Sequence, residues 1–321
     1  MTAAVCTHAR PEQLARALES LAAQRPAPAE ILVVDNAPAD DATRDLLAAR
    51  FPRVRRVVEP VQGLDFARNR ALASAHGDVV AFLDDDAVAA EGWTGALAAV
   101  FADDPGVAVC TGRVEALGQH SEGERLFEAN GGFSRGLRRI RLPADATAPL
   151  HGKPAPLIAW AVSVGSGCSY AVRRTTALEL GGFDEALDLG AALPGGGDHD
   201  LLWRALQAGH VVVYEPAALA WHEHRALAEG VHGQVVGHQR ALLAFLSKHV
   251  VGVSGGARGQ LACYLAWRLV KPGVRLARRA VGRDPLPAPV LARMWWNCWA
   301  GLVAYPGARR LARARREAQA C

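Results

Sequence analysis

Three consecutive carboxylates, Asp84-Asp85-Asp86, close the apolar run Val79-Val80-Ala81-Phe82-Leu83. Such a run reads as a buried strand, and in an open α/β sheet ligands bind beyond the carboxyl ends of the strands. Carboxylates crowded at that end repel one another, and a divalent cation offsets the repulsion. Hard oxygen donors suit Mg²⁺ or Mn²⁺, ions that commonly carry a phosphate-bearing substrate. The competing reading is an acidic turn that merely starts the next helix near Glu91-Gly92-Trp93-Thr94.

Other carboxylates and imidazoles have comparable settings. Gly195-Gly196-Gly197-Asp198-His199-Asp200 precedes a segment of helical spacing. Asp198 is therefore either an N-cap favoured by the helix dipole or a general base carried on flexible glycines. Asp35 ends the run Glu30-Ile31-Leu32-Val33-Val34. It could accept hydrogen bonds from a base or ribose, or simply bond its own turn. His222 and His224 share one face of an extended segment, where a pair can complete a metal shell, touch a diphosphate, or sit idle on the surface. Zinc is not expected, because no cysteine is near. Neither GxGxxG nor GxxxxGK[ST] occurs, which counts against dinucleotide dehydrogenases and P-loop NTPases.

Alternating strands and helices would position these groups. Ala3 to Cys6, Glu30 to Asn36, Val54 to Val58, Val79 to Leu83, Gly106 to Cys110 and Val211 to Tyr214 read as strands. Helical spacing follows Pro11 through Leu14, Leu18 and Leu21, and recurs from Phe66 to Ala75. The alternation indicates βαβ units in a doubly wound sheet. Gly118 to Pro156, rich in glycine, proline and charge, reads as a long connecting loop, either a lid or an insertion.

The chain of 321 residues is 50% hydrophobic and 21% charged, which argues against wholesale disorder. Met1 leads straight into a short strand and polar turn, so no signal peptide is visible and a cytoplasmic location is expected. The six cysteines lack metal-ligand spacing and are expected to be reduced and buried. The net charge of +4 hides a division. From Arg258 to Cys321 there are 13 basic and 2 acidic residues, a balance of +11, so the remainder carries −7. That tail is helical in pattern and holds Trp295, Trp296 and Trp299. It suits either an anionic membrane surface, peripheral on the cytoplasmic face, or packing on the body. Nucleic acid is not an expected partner of so acidic a body.

The motifs together resemble family-2 glycosyltransferases. The resemblance rests on Val5-Cys6-Thr7-His8-Ala9-Arg10-Pro11-Glu12, Val33-Val34-Asp35-Asn36, Gly63-Leu64-Asp65-Phe66-Ala67-Arg68-Asn69 and Phe82-Leu83-Asp84-Asp85-Asp86. It continues through Gly165 to Arg174, Gly181-Gly182-Phe183-Asp184-Glu185 and Gly197-Asp198-His199-Asp200. It implies an α/β fold of GT-A type, a mostly parallel sheet flanked by helices, and an inverting sugar transfer. Residues 1–240 would form the catalytic domain, with a nucleotide-sugar half at about 1–115 and an acceptor half at 116–240. Residues 241–321 would form a helical basic appendage.

Carried over by position, Thr7, Arg10 and Asp35 would line the nucleotide-base pocket, with Arg68 near the diphosphate. Asp86 would hold Mn²⁺ or Mg²⁺, joined by His222, while Asp84 or Asp85 holds the ribose or a metal-bound water. Asp198 would be the base, with Asp200 as its alternative. Gly167 and Ser169 would face the acceptor. The resemblance implies a nucleoside diphosphate sugar donor, a UDP-sugar first among candidates, and a hydroxyl acceptor, lipid-linked in one version. Two other classes stay open: a silent nucleotide-sugar-binding scaffold, and a nucleotidyltransferase. Intact Asp86 and Asp198 weigh against the first. Cys6 to Arg10 lacks the glycine- and arginine-rich, lysine-terminated loop of the second.

Overall fold

A computed structural model describes residues 1–118, 120–252 and 255–320, so Cys321 lies outside the described residues. The elements run β1 (Thr2–Thr7), α1 (Pro11–Ala22), β2 (Glu30–Asn36), α2 (Ala42–Arg50), β3 (Arg55–Glu59), α3 (Leu64–Ser74), β4 (Val79–Leu83), β5 (Ala87–Ala89), α4 (Trp93–Asp103) and β6 (Val107–Ala116). They continue α5 (Glu122–Ala129), β7 (Ile140–Leu142), α6 (Leu157–Val164), β8 (Ser169–Arg173), α7 (Arg174–Glu179), α8 (Gly197–Gln207), β9 (Val211–His222), α9 (Ala228–Gly252), α10 (Gly255–Ala280) and α11 (Ala288–Ala320).

One sheet in the order β3-β2-β1-β4-β8-β6-β9-β5 organises the body, with β7 paired to β9. The first four strands are parallel, each joined to the next by a helix. Strand β8 runs antiparallel to both β4 and β6, placing Ser169 opposite Leu83. That reversal brings the loop before β8 to the edge where β1, β2 and β4 end. Helix α1 forms because Leu14, Leu18 and Leu21 return to one face, and all three are fully buried.

Several expectations need correction. The stretch from Gly118 to Pro156 is not a single loop. It contains α5, closed by a capping box between Ser121 and Glu124, and β7 pairing with β9. Strands β6 and β9 extend well past the apolar runs that announced them, because they pair with each other along a shared length. Residue 240, the expected domain boundary, falls inside α9. Cys263 is exposed rather than buried.

The tail helices pack on the body. Leu261 joins the main core, Ala308 and Ala312 pack with Leu187, Leu189 and Leu193, and Leu286, Val290 and Leu291 pack with Val231 and Val235. Gly301 lets α11 approach α9, since a Cβ there would lie 2.5 Å from the Arg240 carbonyl oxygen. The outward side stays apolar in places, with Trp296 at 74% and Trp299 at 54% exposure. Among the described residues no helix is long and apolar enough to cross a membrane.

Candidate active site

The carboxyl ends of β1, β2 and β4 collect the acidic residues. Thr7 lies opposite Asp35 in the β1–β2 register, and the Asp84 amide donates to the Cys168 carbonyl at 3.2 Å. Asp85 turns inward, buried, and accepts from the Thr7 hydroxyl at 2.8 Å and from Arg10 at 3.2 Å. Arg10 also donates to Asp86 at 3.0 Å. Thr7 and Arg10 therefore brace the acidic turn. Asp35 is buried, and Arg56 occupies one of its oxygens at 2.6 and 2.9 Å. Its other oxygen, Oδ1, is buried without a partner, an acceptor left open at the strand end.

His222 ends β9 with Nε2 at 3.2 Å from Asp86 Oδ1. Its Nδ1 lies 3.1 Å from Nδ1 of His224, whose Nε2 contacts Glu128 at 2.9 Å. The chain Glu128–His224–His222 fixes the outer imidazole so that His222 Nε2 can face a cation. Ligand atoms of Asp84, Cys168 and His222 lie within 4.8 Å of one another. Burial and the neighbouring Asp86 push Asp84 up to about 6, a repulsion that a divalent ion would relieve. Two carboxylates and an imidazole fit Mn²⁺ or Mg²⁺. Cys168 suits them less, because a soft sulfur donor does not match these hard ions.

Across the cleft, Gly196 at φ 107° delivers the start of α8. Asp198 Oδ1 accepts from the amide of His199 at 2.8 Å and contacts His199 Nδ1 at 2.9 Å. Burial works to raise the Asp198 pKa, but His199 and Arg68 outweigh it and hold the carboxyl well below its usual range. Asp65 and Asp188 lie nearby, yet Asp198 stays ionised. Its other oxygen, Oδ2, faces Gly167, where a Cβ would stand 3.4 Å from it and 2.5 Å from Arg68 Nη2. Gly167 thus keeps open a gap between guanidinium and carboxylate.

Asp200 is closed to the cleft. Wholly buried, it accepts from Arg204 at 2.7 Å, Lys248 at 2.5 Å and His249 at 2.8 Å. Ser169, expected on the acceptor side, is also buried; it accepts from the Trp93 indole at 2.9 Å and ties down the sheet. Arg68 is nearly buried, 3.1 Å from Asp65 and 3.6 Å from Asp188. Asp188 gave no signal in the sequence. It adopts φ 51° and accepts from the Gly197 amide at 3.0 Å, bracing the turn into α8. At Gly197 a Cβ would lie 1.8 Å from Asp65 Oδ2, so a side chain there would clash with that carboxylate. One cavity of about 1240 Å³ is lined by Arg68, Asp84, Gly167, Asp188, Asp198 and His222.

The same fold recurs in known structures and is of GT-A type. The chain superposes on the mannosyltransferase PcManGT from Pyrobaculum calidifontis in complex with GDP-Man and Mn²⁺, with a TM-score of 0.56 at 18% identity over 96% of this chain and 86% of that one. It also superposes on GalNAc-T7 with UDP, GalNAc and Mn²⁺, with a TM-score of 0.53 at 16% identity over 89% and 58% of the two chains.

The sequence profile of Glycosyl transferase family 2 matches residues 2–148. The succinoglycan biosynthesis protein ExoM of Rhizobium meliloti is 30% identical over 264 residues, 80% of this chain and 73% of its own. The pre-mycofactocin glycosyltransferase of Mycobacterium tuberculosis is 29% identical over 220 residues, 67% of this chain; the match spans 41% of that protein's length. The chain belongs to glycosyltransferase family 2.

Proposed function

We propose that this protein transfers a sugar from a nucleoside diphosphate sugar to a hydroxyl acceptor, with inversion at the anomeric carbon. The observation that carries the reading is the opposition, within one cavity, of the Asp84–His222 donor set and the free oxygen of Asp198. Asp84, Asp86 and His222 would hold Mn²⁺ or Mg²⁺, which supplies charge stabilisation for the diphosphate leaving group. Arg68 offers a guanidinium to the same phosphates, steadied by Asp65 and Asp188. The open Oδ1 of Asp35 accepts from the nucleotide base. The acceptor hydroxyl enters the gap at Gly167 and gives its proton to Asp198 Oδ2. A carboxylate of low pKa serves because the hydroxyl becomes strongly acidic as its oxygen bonds the anomeric carbon. A single displacement with the base opposite the leaving group inverts the centre.

The donor is proposed to be a GDP- or UDP-sugar, since one structural neighbour is in complex with GDP-Man and the other with UDP and GalNAc. The exposed tryptophans of α11 beside its arginines support placement against an anionic membrane surface. Asp198→Asn tests the reading. Donor binding should persist while kcat falls by about 10²-fold or more, the usual cost of losing a general base. Unchanged kcat would contradict it.

A further inference from the structure

The cavity has a second pole that sugar transfer alone does not use. One of its walls is α10, which lines it at Tyr264, Trp267, Arg268, Lys271 and Arg275, one face of a single helix. The acidic lining residues, Asp84, Asp188 and Asp198, are those of the catalytic end. Arg275 is neutralised by Asp284 at 2.7 and 2.8 Å. Arg268 and Lys271 are not. Among the described residues the Arg268 guanidinium reaches only the neutral Gln239 Oε1, at 3.1 Å, and its Nε is buried without a partner. No ion pair involves Lys271 among the described residues. The charge of Arg268, then burial, then Arg275 lower the Lys271 ammonium to about 8. Two uncompensated cations one helical turn apart repel each other, and an anion between them would remove the penalty. Beside them Trp267 is 50% exposed, with Val270 and Val274 continuing an apolar surface outward along α10.

We propose that Arg268 and Lys271 form a phosphate-binding subsite for the acceptor, whose sugar-receiving hydroxyl reaches Asp198 while an apolar chain leaves over Trp267. This rests on the sugar-transfer reading above and names the class of its acceptor: a phosphate ester carrying hydrocarbon. The single cavity joins the two ends, so one molecule can bridge them. Guanidinium and ammonium bind phosphate oxygens through charge-assisted hydrogen bonds, and the indole takes the first methylenes.

The test uses the full chain with EDTA present, which removes the metal that the donor phosphates need. Dodecyl phosphate, inorganic phosphate and dodecyl maltoside, each below its micellar concentration where it has one, are titrated by calorimetry. Dodecyl phosphate should bind. Lys271→Met combined with Arg268→Met should weaken it about tenfold or more, as loss of hydrogen bonds between charged groups does. Lys271→Arg should stay near wild type, and inorganic phosphate should bind far more weakly. Equal binding by the double variant, or by neutral dodecyl maltoside, overturns the subsite. Equal affinity for inorganic phosphate overturns the acceptor assignment in favour of a free-anion site. Nucleoside diphosphate binding with Mn²⁺, measured on the same proteins, separates the two claims. Its failure in the wild type counts against sugar transfer, whereas its survival in the double variant shows that only the subsite was changed.

Discussion

Asp198 and Asp200 sit two residues apart, yet their surroundings assign them opposite consequences on substitution. Asp200→Asn leaves Arg204, Lys248 and His249 facing a neutral amide in a site with no solvent exposure. Removing one partner of a buried charge network costs about 3–5 kcal/mol. The lower end applies, because Lys248 keeps Asp184 at 2.6 Å and Arg204 keeps two backbone carbonyls at 2.6 Å. At roughly 2–4 °C per kcal/mol for a domain of this size, Tm should fall by about 6–12 °C. The sign with pH follows from the same contacts. Burial alone would raise the Asp200 pKa, but His249, Arg204 and Lys248 hold it well below its usual range. Its stabilisation is therefore complete above the unfolded carboxyl's pKa of about 4, and is lost as pH falls through the folded value. The Tm gap between wild type and variant should stay constant from neutral pH down to about 5 and close in stronger acid. Thermal unfolding read beside kcat settles it. A wild-type Tm for Asp200→Asn with kcat down a hundredfold would show that Asp200, not Asp198, is the base.

Asp86→Ala should abolish transfer and make nucleoside diphosphate binding insensitive to Mn²⁺, checked by calorimetry with and without the ion; near-normal turnover would remove Asp86 from the metal site. Gly167→Ala should push the Arg68 guanidinium from its place and lower kcat/KM by about tenfold or more, with some loss of Tm because Arg68 is paired to buried Asp65; wild-type kinetics would mean that the gap is not used. Dodecyl phosphate binding should weaken as pH rises through about 8, because Lys271 is a cation below that value and neutral above it. A flat profile from pH 7 to 9 would mean that Lys271 does not contact the phosphate.

Most of the parallel half of the sheet was legible because β1, β2 and β4 carry apolar runs, and those mark burial on both faces. Asp84, Asp86 and Asp198 stood out at a strand end and after glycines, but each also had a structural reading, and the resemblance rather than the local pattern singled them out; the structure brings Asp84 and Asp198 to one cavity. The residues that proved hardest owe their roles to long-range geometry. Ser169 reads like an acceptor contact by position, but antiparallel β8 turns it toward Trp93. Asp188 and Glu128 carry no local pattern, and each matters through a partner distant in sequence. The length of β9 was invisible because Glu215 and Pro216 interrupt its apolar run, while pairing with β6 resumes beyond the bulge. The tail read as an appendage because its charge differs from the body's, although its inward face, Ala308 and Ala312 included, belongs to the core.

The most direct test of metal-dependent nucleotide-sugar binding is a thermal-shift panel of UDP- and GDP-sugars on the full chain, with Mn²⁺ or with EDTA. A ligand at about 100 times its Kd stabilises by about 2.7 kcal/mol, a shift of several degrees. At least one nucleotide sugar should raise Tm by that amount with Mn²⁺, and the shift should vanish with EDTA and in Asp84→Ala. A panel that leaves Tm unmoved with Mn²⁺, or a shift of equal size in EDTA and in Asp84→Ala, would contradict the account.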